Sequence, residues 1–234
     1  MKKWILYSAT AILLAACEKE KKECPGAIEQ EFTLTDFSRI KAGGTFSVTI
    51  DKGNNYNIKA RGCADDIADL DLAVSNSGWL DINYKKFKSG RYRVDLFITV
   101  PQLASIDLSG AAQASIIGFG GQPTVIRNIL SGASVCTMNG TAINANIELS
   151  GSSVLHLSGN TESLYGNITG NANLNSFNTE ATEVDINVSG AAKAYVQPVQ
   201  RFFAEASGDS RIYYKGNPPA TNLVTNGNGR IIHE

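Results

Sequence analysis

Metal and nucleophile chemistry find little to work with in this chain. Only two histidines, His156 and His233, occur in 234 residues, and the four cysteines show no CxxC or His-rich spacing. No metal site and no cofactor are therefore implied. Neither histidine has a serine or cysteine partner in a nucleophile-like context. The many Ser-Gly pairs lack the GxSxG pattern of a nucleophile elbow. Without convergent titratable groups, the chain reads as non-enzymatic. A long hydrophobic run is also missing. The N-terminal apolar stretch, WILYSATAILLAA, has 13 residues, too few to span a bilayer comfortably.

That stretch has the length of a signal-peptide core, and Lys2 and Lys3 supply its positive n-region. It ends in LAAC, Leu14 to Cys17, which resembles the bacterial lipobox. Residues 1–16 are then a lipoprotein signal peptide, and Cys17 is the lipidated mature N-terminus. An ordinary secretory signal or a short helical anchor would also fit the run. The charged segment EKEKKEC that follows cannot pack, so 17–30 reads as a lipidated tether. The expected location is the cell envelope, at the outer membrane or cell surface, with the membrane as partner through the lipid. Loss of Lys2 and Lys3 leaves 19 basic residues against 22 acidic ones, a formal charge of −3. That balance excludes an electrostatically driven nucleic-acid binder. Outside the cytoplasm disulfides persist, and Cys24 and Cys63, both preceding the repeats described next, can bridge. Cys136 falls at an apolar repeat position and reads as a small core residue.

DLSGAAQASI (107–116) and NVSGAAKAYV (187–196) are nearly the same decapeptide. The pattern recurs around Gly110, Gly132, Gly151, Gly170, Gly190, Gly208 and Gly227, at spacings of 22, 19, 19, 20, 18 and 19. Two residues after each glycine stands a small residue, and four after it an apolar one. Two before it is apolar in every unit but the last, which has Thr225. This alternation has the period of a β-strand. A second corner falls eight residues after the glycine, at Gly118, Gly140, Gly159, Asn178, Pro198 and Gly216. Each unit of 18–22 residues is strand, corner, strand, corner. A β-sandwich of hairpins would explain the alternation but not the fixed period. Coiling does explain it, because each strand then pairs in parallel with its copy one turn later. The fold class is all-β, a parallel β-helix or β-solenoid over 102–234. At about 4.8 Å per coil, seven coils make a rod on the order of 30 Å long.

Residues 31–101 begin with one more coil around Gly44. An insertion follows, with a short helix near Ala64, a hairpin turning at Asn76 to Gly78, and the strand RYRVDLFITVP. Twenty charges fall in 27–101 against 15 in the 133 residues after, so this region is expected to cap the rod and cover its strand edge.

The run VDLFITVPQLASIDLSGAAQASI, with strand, VP, an apolar residue and IDLSGAA, resembles the auto-transporter adhesin head GIN domain family. The resemblance covers roughly residues 30 to 234. It implies a right-handed parallel β-helix with an N-terminal β elaboration, often behind a lipobox, and brings no catalytic residues. The corners at Asn178 and Pro198 depart from the family pattern, which affects local coil shape.

Two outward columns bear on function. Three before the glycines stand Asp107, Glu148 and Glu205. Glu148 and Glu205 are three coils apart, about 14 Å, beyond the roughly 5–9.5 Å of glycosidase carboxylate pairs. On the other strand, five after the glycine, come His156, Asn175, Tyr195 and Tyr213. Three after it come Lys193, Arg211 and Arg230. Lys193, Tyr195, Arg211, Tyr213 and Arg230 form a candidate ligand-binding stripe. Its rings can stack on sugars and its cations can meet acidic groups. The same residues also suit a plain β-surface. Asp209 can offset part of the repulsion among the cations. The 15 asparagines of 102–234 can form inward ladders. The expected function is a non-enzymatic, lipid-anchored envelope protein presenting a binding or adhesion surface to an acidic glycan or another surface macromolecule. A polysaccharide-acting β-helix enzyme and a purely structural envelope protein are the alternatives.

Overall fold

The computed structural model describes residues 24, 26–123 and 125–234. The signal segment 1–16, Cys17 and the charged run up to Glu23 lie outside the described residues. The N-terminal part contains β1 (Ala27–Phe32), β2 (Arg39–Ala42), β3 (Ser47–Lys52), β4 (Asn57–Cys63), the helix α1 (Ala64–Ala68), β5 (Leu70–Val74), β6 (Trp79–Tyr84) and β7 (Asp95–Val100). The repeats supply β8 (Ser105–Leu108), β9 (Gln113–Ile117), β10 (Val125–Leu130), β11 (Val135–Asn139) and β12 (Asn144–Leu149). Three long strands follow, β13 (Val154–Ile168), β14 (Asn173–Val188) and β15 (Lys193–Ala206), then β16 (Arg211–Tyr214), β17 (Ala220–Thr225) and β18 (Arg230–His233).

These strands form a β-solenoid. Before each glycine corner runs a first wall, which stacks β2, β8, β10, β12, the second halves of β13 to β15, and β17 in parallel. After each corner runs a second wall of β3, β9, β11, the first halves of β13 to β15, β16 and β18. The alternation read from the sequence is the burial pattern. Leu108, Leu130, Leu149, Ile168, Val188 and Ala206 are buried on the first wall, as are Ala114, Cys136, Leu155, Leu174, Ala194 and Ile212 on the second. Cys136 is a free, buried thiol whose pKa burial pushes up to about 12, so it stays neutral.

The corners explain the small residues. Gly151 has φ +68°, and a Cβ on it would lie 2.7 Å from the carbonyl oxygen of Gly132 one coil earlier. Backbone therefore packs directly on backbone, in a left-handed conformation that only glycine takes without strain. Two residues on, the buried hydroxyl of Ser210 donates to the Val188 carbonyl at 2.9 Å, and that of Ser153 to Leu130 at 3.3 Å. A larger side chain there would displace the neighbouring coil.

The coil around Gly44 stacks on the Gly110 coil as expected. Helix α1 and the β5–β6 hairpin also lie where the sequence places them. The insertion does more than cap, however. β6 pairs in parallel with β2, and β7 with β3, so the two form an additional layer outside the first coil, out of chain order. Antiparallel strands finish that end, β5 on β6, and β4 followed by β1 on β7. β1 starts at Ala27, so the last four residues of the segment read as tether are strand. Cys24 and Cys63 are disulfide-bonded, with Cα atoms 5.5 Å apart. The inward asparagine ladder is not found. Asn128 alone is buried on the first wall, while Asn167 and Asn187 meet on its outer face, at 3.3 Å. Isoleucine fills the inward positions on either side of Asn128, which leaves nothing to continue a ladder.

Candidate binding surface

The register of the second wall brings the predicted stripe together. Thr137, His156, Asn175, Tyr195 and Tyr213 follow one another on successive coils, and Asn173, Lys193, Arg211 and Arg230 form the adjacent column. Parallel in-register stacking holds such neighbours about 4.8 Å apart. The Tyr195 and Tyr213 rings use that spacing to stack, with centroids 4.9 Å apart and planes 7° from parallel. The Tyr195 hydroxyl is held above its ordinary pKa, first by burial, then by Tyr213 and Glu234, with Arg211 opposing.

Lys193, Arg211 and Arg230 make no ion pair among the described residues. Asp209 does not offset them through an ion pair, since its Oδ1 instead accepts from Asn228 Nδ2 at 2.8 Å. The corner turns that carboxylate along the glycine edge, toward the next coil. Three like charges thus stack without a protein counter-ion within salt-bridge distance.

Phe177 belongs to the site and was not predicted. Its coil, from Gly170 to Gly190, is two residues longer than the next, and the register of β14 against β15 slips between Asn175 and Glu180 to absorb the surplus. Phe177 sits in that bulge. It meets Tyr195 edge-on at 5.3 Å and lies under Lys215 Nζ at 4.4 Å. The unequal coil lengths at Asn178 and Pro198 were the available signal, because a longer coil must shed residues as a bulge. Beside Phe177 the surface dips into a groove of about 570 Å³ that reaches Asn139, His156, Asn175 and Tyr195. Aromatic faces, amides and cations therefore line one continuous outer face. Such a face can pack against sugar rings through the aromatic edges, hydrogen-bond hydroxyls and meet acidic groups.

The three carboxylates singled out on the first wall do not converge on one another. Asp107 pairs with Lys41 at 3.5 Å, Glu148 with Arg127 at 2.6 Å, and Glu205 accepts from Asn226 at 2.9 Å. His233 Nε2 donates to the Gly216 carbonyl at 2.8 Å, and the ring packs on Tyr214.

A family model described as "Putative auto-transporter adhesin, head GIN domain" matches residues 36–218. Among solved structures, the fold is similar to that of a "putative adhesin" from Bacteroides fragilis, with TM-score 0.81 and 20% identity over 90% of this chain and 98% of that one. It is also similar to a "putative adhesin" from Parabacteroides distasonis, with TM-score 0.70 and 16% identity over 92% and 98% of the two chains. A third, from Parabacteroides merdae, has TM-score 0.63 and 16% identity over 91% and 98%. At these identities the likeness is one of fold. No curated protein matches the chain significantly.

Proposed function

The chain belongs to the auto-transporter adhesin head GIN domain family, and on that premise we propose that it is a non-enzymatic envelope adhesin, anchored through lipidated Cys17, that binds acidic glycans. The observation that carries this reading is the parallel Tyr195–Tyr213 stack beside three cations without ion pairs. Like charges at stacked positions repel, and an acidic ligand relieves the repulsion. The outer edges and hydroxyls of the stacked rings offer sugars apolar contact and hydrogen bonds, and the groove beside Phe177 supplies amides. The polysaccharide-acting alternative has less support, because Asp107, Glu148 and Glu205 each have a separate partner and do not face one another as an acid–base pair.

A glycan array run beside an activity screen on acidic polysaccharides tests this. Wild-type protein is expected to retain acidic glycans without degrading them, less strongly as salt rises. The folded Tyr195→Ala/Tyr213→Ala/Arg211→Ser variant is expected to retain none. Chain scission by the wild type would favour the enzyme. Equal retention by both proteins would leave the stripe as plain surface.

A further inference from the structure

In the coils of the solenoid the two walls meet at a glycine corner. In the layer made by β6 and β7 they are joined instead by residues 85–94, KKFKSGRYRV. The base of this loop is tied down. Arg91, with a side chain only 8% exposed, donates to Asp66 at 2.9 Å, pairs with Asp69, and reaches the Lys86 carbonyl at 2.6 Å. Its guanidinium lies 3.9 Å from the centre of the Tyr84 ring, and the Tyr92 amide donates to Asp66 at 3.1 Å. Lys85 Nζ donates to the Ala68 carbonyl at 3.0 Å. The loop is thereby fastened to α1 at both ends.

Its apex is the opposite. Phe87 is 100% exposed, whereas the other exposed large apolar side chains among the described residues are 39–45% exposed. Lys86 and Lys88 flank it, both exposed and without an ion pair among the described residues. A single exposed apolar residue is ordinary. A bare aromatic tip between two unpaired lysines, on a fixed base, contributes nothing to packing. It has the chemistry of an interfacial anchor, with an apolar tip and cations at headgroup level. Asp66 and Asp69 are occupied by Arg91, which leaves Asp65 as the one exposed carboxylate of the adjoining groove.

Position selects the occupant. α1 begins one residue after Cys63, which is bonded to Cys24. Cys24 follows Cys17 by seven residue steps, and such a segment spans at most ~25 Å. If Cys17 is lipidated, the end of the rod that carries α1 and this loop stays close to the bilayer. We propose that the Lys86-Phe87-Lys88 apex is a second membrane contact, with Phe87 entering the interface of an anionic bilayer and the two lysines meeting its headgroups. The proposal rests on the lipid-anchor reading for its biological setting.

The test removes that dependence. The mature chain from Cys17, carrying Phe87→Trp, is coupled through the Cys17 thiol to maleimide-bearing vesicles. Cys24 and Cys63 are bridged and Cys136 is buried, so neither competes. Phosphatidylcholine vesicles with and without phosphatidylglycerol are compared, with the Phe87 parent as background for Trp79. The expected result is a blue-shifted emission quenched by brominated lipid on phosphatidylglycerol vesicles. Insertion is expected to fall about fivefold for each of Lys86→Ser and Lys88→Ser. Emission unchanged from the free protein overturns the proposal. So does an equal response to neutral vesicles, or a response to soluble acidic polysaccharide with none to vesicles. Failure of Cys17 lipidation in the cell would remove the native anchor while leaving this measurement intact.

Discussion

Asn128 occupies an inward position of β10, between Ile106 and Ile147 on the neighbouring coils, and neither its Oδ1 nor its Nδ2 has a partner. A buried amide that bonds to nothing forfeits its hydration without compensation. Asn128→Leu, close in volume and continuous with the isoleucine column, is expected to raise stability by ~1–3 kcal/mol in urea denaturation. An unchanged or lower midpoint would mean that the amide is satisfied or the site too tight. Residue-level features were unevenly legible in the sequence. The inward leucines, the corner glycines and Cys136 all follow from period-two counting. Phe177 does not, because its direction depends on a bulge set by the difference between two coil lengths. Asn128 was hidden by the expectation that asparagines stack on one another.

Among the elements, the coil is the unit that offsets and corners define. Leu149 and Leu155 flank the Gly151 corner on opposite walls, 2% and 0% exposed, while Ser152 lies outside. Leu→Ala at either position is expected to cost ~2–5 kcal/mol as a core truncation, and Ser152→Ala close to nothing. Equal small losses at all three positions in chemical denaturation would contradict the inward–outward assignment. The layer of β6 and β7 was the element that the sequence concealed. Repeat detection relies on a glycine corner, and this layer replaces the corner with the loop at 85–94. Its parallel pairing with β2 and β3 also runs against chain order, so no fixed offset points to it. The hairpin β5–β6 was legible because its turn and alternation are local.

For the molecule as a whole, the rod has two unlike ends. One carries the disulfide, α1, the antiparallel strands and the basic loop. The other ends in β17 and β18, and the aromatic–cationic face lies on the coils nearest it. A chain tethered at Cys17 would therefore hold its candidate binding face away from the bilayer. Cys17→Ser is expected to move the protein from the membrane fraction to the soluble extracytoplasmic one. Detergent-dependent extraction unchanged by the substitution would remove the lipid anchor from the account. The central claim concerns the distal face, and a calorimetric titration addresses it most directly. The acidic glycan giving the strongest array signal is titrated into the wild type and into the Tyr195→Ala/Tyr213→Ala/Arg211→Ser variant, at low and at physiological salt. The account predicts binding by the wild type that weakens as salt screens the cation column, and no binding heat from a variant that remains folded. Isotherms that coincide for the two proteins, or a wild-type affinity indifferent to salt, would contradict it.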